Sequence, residues 1–136
     1  GSGVINEPKE MSVTNEYRDT LDIKCSSIMQ KAINLSGGNQ QKLVLAREMS
    51  RSPKVLLVGQ PTRGVDIGAI EFIHGRIRAM RDAGCAVLLV SSELDEILAL
   101  SDRILVMSQG AITGRLGAQE CDETQLGLLM TAEVTS

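Results

Sequence analysis

Apolar and polar positions change rhythm along this chain, and the changes predict alternating strands and helices. Lys54-Val55-Leu56-Leu57-Val58 runs apolar without alternation after its lysine, the pattern of a strand buried on both faces of a parallel sheet. From Ile67 to Ala83 the spacing lengthens to a helical one, with Ile70, Ile73, Ile77 and Met80 on one face and Gly84 as the stop. Cys85 to Val90 repeats the unbroken run as a second strand. A short helix over Glu93–Leu100, a third strand over Ile104–Met107, a turn at Ser108-Gln109-Gly110 into Ala111–Arg115 and a helix over Asp122–Thr131 complete the reading. Upstream, Ser36 N-caps a predicted helix that runs to about Ser50 with Leu43, Ala46 and Met49 on one face and Pro53 just beyond it. Before that lie a polar lead-in from Val4 to Thr14, a weakly striped helix over Met11–Leu21, and a loop from Asp22 to Leu35 with a short turn near Ser26–Met29. Strand, helix, strand, helix, strand at this spacing implies right-handed crossovers and an α/β layered fold, a mostly parallel sheet flanked by helices. In such sheets ligands bind at the carboxyl ends of the strands, here from Gly59 onward and from Ser91 onward.

Composition narrows the functions. The 136 residues are 43% apolar, enough for one compact domain with a real core. Aromatic residues make up 1% and the net charge is −3, which excludes a base-stacking platform and argues against a polyanion binder, so no nucleic-acid partner is expected. Cys25, Cys85 and Cys121 lie too far apart for a CxxC knuckle and are odd in number, which fits a reduced, cytoplasmic setting. No apolar run approaches the ~20 residues of a membrane span. Gly1-Ser2-Gly3 reads as a cloning remnant, so residues 1–14 are taken as remnant and lead-in and residues 15–136 as the folded part.

Few positions carry a chemical pattern. Ser36-Gly37-Gly38 opens a helix where unpaired N–H groups and the positive end of the dipole converge, and two glycines let an anion approach without a Cβ in the way. Taken alone, the same residues describe a capped helix after a turn. His74 has no Cys, Asp or Ser partner at a diagnostic spacing and reads as a surface or packing residue. Glu93, Asp95 and Glu96 form a negative first helical turn that complements the dipole, and Arg76, Arg78 and Arg81 read as a solvated helix face. No metal site is expected.

The ordered series Asn34-Leu35-Ser36-Gly37-Gly38-Asn39-Gln40-Gln41, Pro53 to Val58, Pro61-Thr62-Arg63-Gly64-Val65-Asp66 and Val90-Ser91-Ser92-Glu93-Leu94-Asp95-Glu96 resembles the C-terminal part of an ABC-transporter ATPase domain. Within that superfamily it is most similar to the second nucleotide-binding domain of the tandem ATPases of sugar and nucleoside importers, over roughly Asn15 to Met130. The resemblance implies that Ser36, Gly37, Gly38 and Gln40 belong to a signature motif reaching the γ-phosphate of ATP on a partner domain, and that Asp66 is the D-loop aspartate at that interface. Three positions depart from the family pattern. Gly59 stands where a Walker B Asp would hold Mg²⁺ through its water shell. Gln60 replaces the general-base Glu, and it can hydrogen-bond a water but not take its proton. Ser92 replaces the switch histidine.

No G-x-x-x-x-G-K-[ST] string occurs in the sequence, so the expected fold is P-loop NTPase-like but truncated, lacking the P-loop half. The resemblance implies a parent that uses ATP and Mg²⁺, pairs with a second nucleotide-binding domain and with transmembrane permease subunits, and sits peripherally on the inner face of the plasma membrane. For the isolated chain no cofactor is expected, and self-association over an exposed sheet edge is. Two other classes fit less of the sequence: a non-catalytic dimerisation or regulatory module, and the ATPase head of a DNA-repair or chromosome-structure protein, for which no coiled-coil seam is present.

Overall fold

The computed structural model describes residues 7–20 and 36–133. Its elements are α1 (Glu7–Thr20), α2 (Gly37–Met49), β1 (Val55–Gly59), α3 (Ile67–Asp82), β2 (Ala86–Val90), α4 (Leu94–Leu100), β3 (Arg103–Ser108), β4 (Ala111–Gly117), a 3₁₀ turn (Ala118–Glu120) and α5 (Glu123–Met130). The first helix begins four residues before the expected Met11 because Pro8 lies in its first turn, where a missing N–H costs no helical hydrogen bond. Leu21 and the predicted turn near Ser26–Met29 lie outside the described residues. The 3₁₀ turn was not foreseen, since three residues show no periodicity.

The chain divides into two compact units. One takes the chain up to Leu56 together with Pro61–Ala86, and the other Leu57–Gln60 with Val87 onward. In the first, α2 contacts α3, and Leu45 and Ala46 of α2 and Ala69, Ile73, Ile77 and Met80 of α3 are buried. The α2 face is rotated from the expected Leu43-Ala46-Met49 stripe: Gly38, Lys42, Leu45 and Ala46 are buried and Leu43 is exposed. Close approach of the helices at Gly38 sets that face, rather than the sum of apolar side chains. Arg76 is half-buried, with its Nη2 donating to Met49 Sδ at 3.9 Å, and so leaves the solvated face on which Arg78 and Arg81 remain.

β1 and β2 pair with each other. Ala86 N donates to Lys54 O at 2.9 Å and Gln60 N to Val90 O at 2.8 Å, so both strands run in the same direction. The expected burial on both faces is not found. Val55, Leu57, Leu88 and Val90 are exposed, while Leu56 is buried.

In the second unit β3 pairs antiparallel with β4, from Arg103↔Gly117 to Ser108↔Ala111, with a shift between Val106 and Met107. Among the described residues β3 therefore joins a hairpin and not the parallel pair. Gln109 (φ 49°) and Gly110 (φ 79°) both take positive φ at the turn, as a two-residue type I′ hairpin requires. The register shift leaves Thr113 as the extra residue, and its Oγ1 donates to Leu129 O at 2.8 Å, tying the bulge to α5. Ile104, Val106 and Leu126 form this unit's core, with Leu94, Ile97, Leu98, Leu116 and Leu129 around it. Of the acidic residues expected to complement the dipole at the start of α4, Glu96 is 3% exposed, whereas Glu93 and Asp95 are exposed. Among the described residues no helix is long and apolar enough to cross a membrane.

Candidate anion-facing site at two helix ends

Two helix N-termini meet in the first unit. Ser36 caps α2, its Oγ accepting from Asn39 N at 3.3 Å and its carbonyl from Gln40 N at 2.9 Å. Asp66 caps α3 in the same manner, Oδ1 accepting from Ala69 N at 2.9 Å. Ser and Asp are strong caps because a short side-chain oxygen reaches an otherwise orphaned backbone N–H. The chain enters α3 through a turn in which Val65 N donates to Thr62 O at 3.3 Å and Gly64 adopts φ 73°, a left-handed conformation that suits glycine.

Glycine is required where the helices touch. A Cβ on Gly38 would stand 2.9 Å from the Ala69 Cβ and 3.6 Å from Asp66 Oδ2, and one on Gly37 would stand 3.3 Å from Gly64 O. The absence of both side chains lets α2 lie against the α3 N-terminus. The result is a recess of ≈ 290 Å³ lined by Ser36, Gly38, Asn39, Lys42, Asp66, Gly68, Ala69 and Phe72. The positive ends of α2 and α3 both open here, and an anion at one such end gains about 0.3–1 kcal/mol, up to ~2 when partly buried. Lys42, 7% exposed, adds a cation and holds its Nζ 4.4 Å from the centre of the Phe72 ring.

Of the positions singled out from sequence, Ser36, Gly38 and Asp66 are brought together at the recess and Gly37 packs against the Gly64 carbonyl beside it. Gln40 is exposed on α2 and does not line the recess. Lys42 and Phe72 were missed. The available signal was spacing, since Lys42 follows Gly38 by four residues and shares its helix face.

The remaining positions lie in the second unit. Gly59 ends β1 with open space where a side chain would be. Gln60 follows with φ 48°, strained for a residue with a Cβ. Its Oε1 accepts from Ser92 N at 3.3 Å and from Ser92 Oγ at 3.4 Å, and Ser91 Oγ accepts from Glu93 N at 3.0 Å. The carboxyl ends of β1 and β2 are thus bridged by neutral groups. Gly59, Gln60 and Ser92 offer a divalent cation no carboxylate, and the one amide oxygen among their side chains is engaged. Among the described residues no group of three or more His, Cys, Asp or Glu side chains is placed to hold a metal ion. These residues do not fit Mg²⁺.

Comparison with known proteins gives the chain relatives. The guanosine import ATP-binding protein NupO of Bacillus subtilis (strain 168) is 49% identical over 122 residues, 90% of this chain and 23% of that protein. The ribose import ATP-binding protein RbsA of Caldanaerobacter subterraneus subsp. tengcongensis is 44% identical over 126 residues, 93% of this chain and 25% of that protein. The chain therefore spans about a quarter of the length of the curated relatives it matches. No family model matches the sequence. Among solved structures, the dimeric post-hydrolysis state of the ATP-binding cassette MJ0796 bound to ADP and Pi superposes with a TM-score of 0.73 at 21% identity, over 87% of this chain and 51% of that one. Sequence likeness over nine-tenths of the chain and the shared fold agree: this is a homologue of the ATP-binding proteins of sugar and nucleoside ABC importers, with the α/β fold of part of an ABC ATPase cassette.

Proposed function

We propose that the chain supplies the signature side of an ATP site completed by a second nucleotide-binding domain, within an importer for nucleosides or sugars, and that its own catalytic positions are inactive. The recess formed by Ser36, Gly38 and Asp66 at the α2 and α3 N-termini carries this reading. Ser36 and the α2 backbone amides hold the terminal phosphate of a nucleotide bound by the partner domain, Gly37 and Gly38 admit it closely, and Asp66 fixes the start of α3 at the interface. Bound Mg²⁺-ATP supplies the phosphoanhydride bond. The residues of this chain orient and exclude water, and they take no proton. Gln60 has no basic oxygen at neutral pH, and its carbonyl oxygen is engaged by Ser92. The parent assembly docks on permease subunits at the inner face of the membrane.

Two measurements test the reading. Isothermal titration of the chain with Mg-ATP is expected to show no micromolar binding. Mixing it with the first nucleotide-binding domain of a relative such as NupO is expected to raise ATP turnover, and Ser36→Arg to remove that gain by about tenfold or more, the scale of losing one transition-state donor. Micromolar binding by the chain alone, or turnover indifferent to Ser36, overturns it.

A further inference from the structure

Helices α2 and α3 meet at three places that follow one order along both: Gly38 lies against Ala69, Lys42 against Phe72, and Arg76 Nη2 donates to Met49 Sδ at 3.9 Å. The shared order means that the two helices run in the same direction, so their N-termini open on the same side. Like ends of two helix dipoles repel, and the partial charges sit on the first turn of each. Something must hold these ends together.

Apolar packing does not reach that far. Of the buried residues of α2, Gly38 has no side chain, and Leu45 and Ala46 come only after Lys42. On α3, Ala69 offers a single methyl group before Ile73, Ile77 and Met80. Lys42 is thus the first side chain that α2 buries, and it lines the recess. It is 7% exposed, and lysine is seldom buried this far unless its ammonium is held. Its Nζ stands 4.4 Å from the centre of the Phe72 ring, within the ~6 Å over which the negative face of an aromatic ring attracts a cation. Lys42 follows Gly38 by four residues and Phe72 follows Ala69 by three, so the pair lies one turn beyond the glycine contact on both helices.

We propose that Lys42 and Phe72 are positioning residues of the recess. Their contact ties the start of α2 to the start of α3 and so fixes where the Ser36 cap stands relative to the Asp66 cap. Lys42 acts through that placement. The tie depends on charge as well as bulk, because a methionine of similar length would fill the same volume and give the ring face nothing to attract. The placement bears on turnover only if the recess is the partner-facing half of an ATP site, and in that respect it rests on the function proposed above. The tie itself needs the two helices alone.

Amide exchange of the chain without nucleotide tests the tie. Gln40 N donates to Ser36 O at 2.9 Å and Ile70 N to Asp66 O at 3.0 Å, and these bonds close the first turns. Lys42→Met is expected to speed exchange at both amides by about tenfold. Ala83 N, bonded to Ala79 O at the far end of α3, should be unchanged. Phe72→Leu, which keeps apolar volume and removes the ring, gives the same acceleration, and the two substitutions together add nothing further. Lys42→Arg restores slow exchange, because a guanidinium also rests on an aromatic face. In the mixture with the first nucleotide-binding domain of NupO, Lys42→Met lowers kcat by about tenfold and changes KM for Mg-ATP by less than about twofold, since the partner domain holds the nucleotide. Lys42→Arg returns kcat.

Exchange indifferent to both single substitutions, exchange quickened equally at Ala83, or a Lys42→Arg chain as impaired as Lys42→Met overturns the tie. If Ser36→Arg removes the gain in turnover and Lys42→Met does not, Lys42 and Phe72 position nothing and the proposed function stands. If the unsubstituted chain gives no gain, the proposed function falls, and the exchange rates still decide whether Lys42 and Phe72 hold the helices.

Discussion

Gly38→Ala tests whether helix contact, rather than helix propensity, governs the Ser36-Gly37-Gly38 segment. The new Cβ would lie 2.9 Å from the Ala69 Cβ, against about 3.5–4.0 Å for carbon atoms at optimal separation. The start of α2 must therefore move from α3 by roughly 0.6–1 Å, and forcing a methyl group into a packed interface costs about 1–3 kcal/mol. Alanine offsets part of this, since it is favoured over glycine in a helix interior by ~0.5–1 kcal/mol, and by less in a first turn. The expected balance is a loss of about 1–2 kcal/mol, read by urea unfolding as a lower midpoint with an unchanged slope. Gly75→Ala on α3 isolates the propensity term, because a Cβ there meets nothing within 4 Å. It should stabilise by about 0.5–1 kcal/mol.

A second substitution makes the test sharper. Ala69→Gly removes the atom that Gly38→Ala would strike, at a cost of ~1 kcal/mol in helix propensity when made alone. Combined, the two should couple favourably by about 1 kcal/mol or more in a double-mutant cycle. If Gly38→Ala matches or exceeds the parent chain in stability, or the coupling falls within ~0.3 kcal/mol of zero, the close-approach reasoning is refuted and the paired glycines are needed only for what binds them.

Leu126, 1% exposed against Ile104 and Val106, should lose about 2–5 kcal/mol on replacement by Ala, measured by the same urea titration. Asp66→Ala removes the acceptor for Ala69 N and should cost ~1 kcal/mol, with Asp66→Asn and Asp66→Ser restoring most of it. Glu123 has its carboxyl raised above the usual range, first by its hydrogen bond with Asp95, then by the charge of Asp95, with smaller effects from desolvation and Asp122. A carboxyl whose pKa is raised on folding adds stability below its unfolded pKa and loses it as pH rises through the folded one. Glu123→Gln should therefore raise the thermal midpoint at pH 7 and flatten its rise on acidification through the carboxylate range. No difference between the two proteins at pH 7 sinks that account.

The periodic elements were legible in the sequence because periodicity is the direct signature of burial. All of the strands and helices expected from residue 36 onward appear within about two residues of their predicted ends. What was not legible depended on contacts between distant residues. The buried face of α2 is set by Gly38 against Ala69, thirty-one positions away in sequence, and hydropathy alone points the wrong way there, since Lys42 is buried while Leu43 is exposed. Ser36, Gly38 and Asp66 were found by resemblance to a motif series, and their convergence in one recess needed the crossing of two helices that the motifs do not describe.

The largest departure is also the most informative. Val55, Leu57, Leu88 and Val90 were read as doubly buried and are exposed. The composition rule was not at fault, because an unbroken apolar run records the environment in which the sequence was selected. A residue selected for burial and found in solvent marks a surface awaiting its cover. Polar positions give the opposite signal at the strand ends. Gln60 and Ser92 satisfy each other there, so the strand ends are closed by neutral hydrogen bonds and need no ion to stay in place.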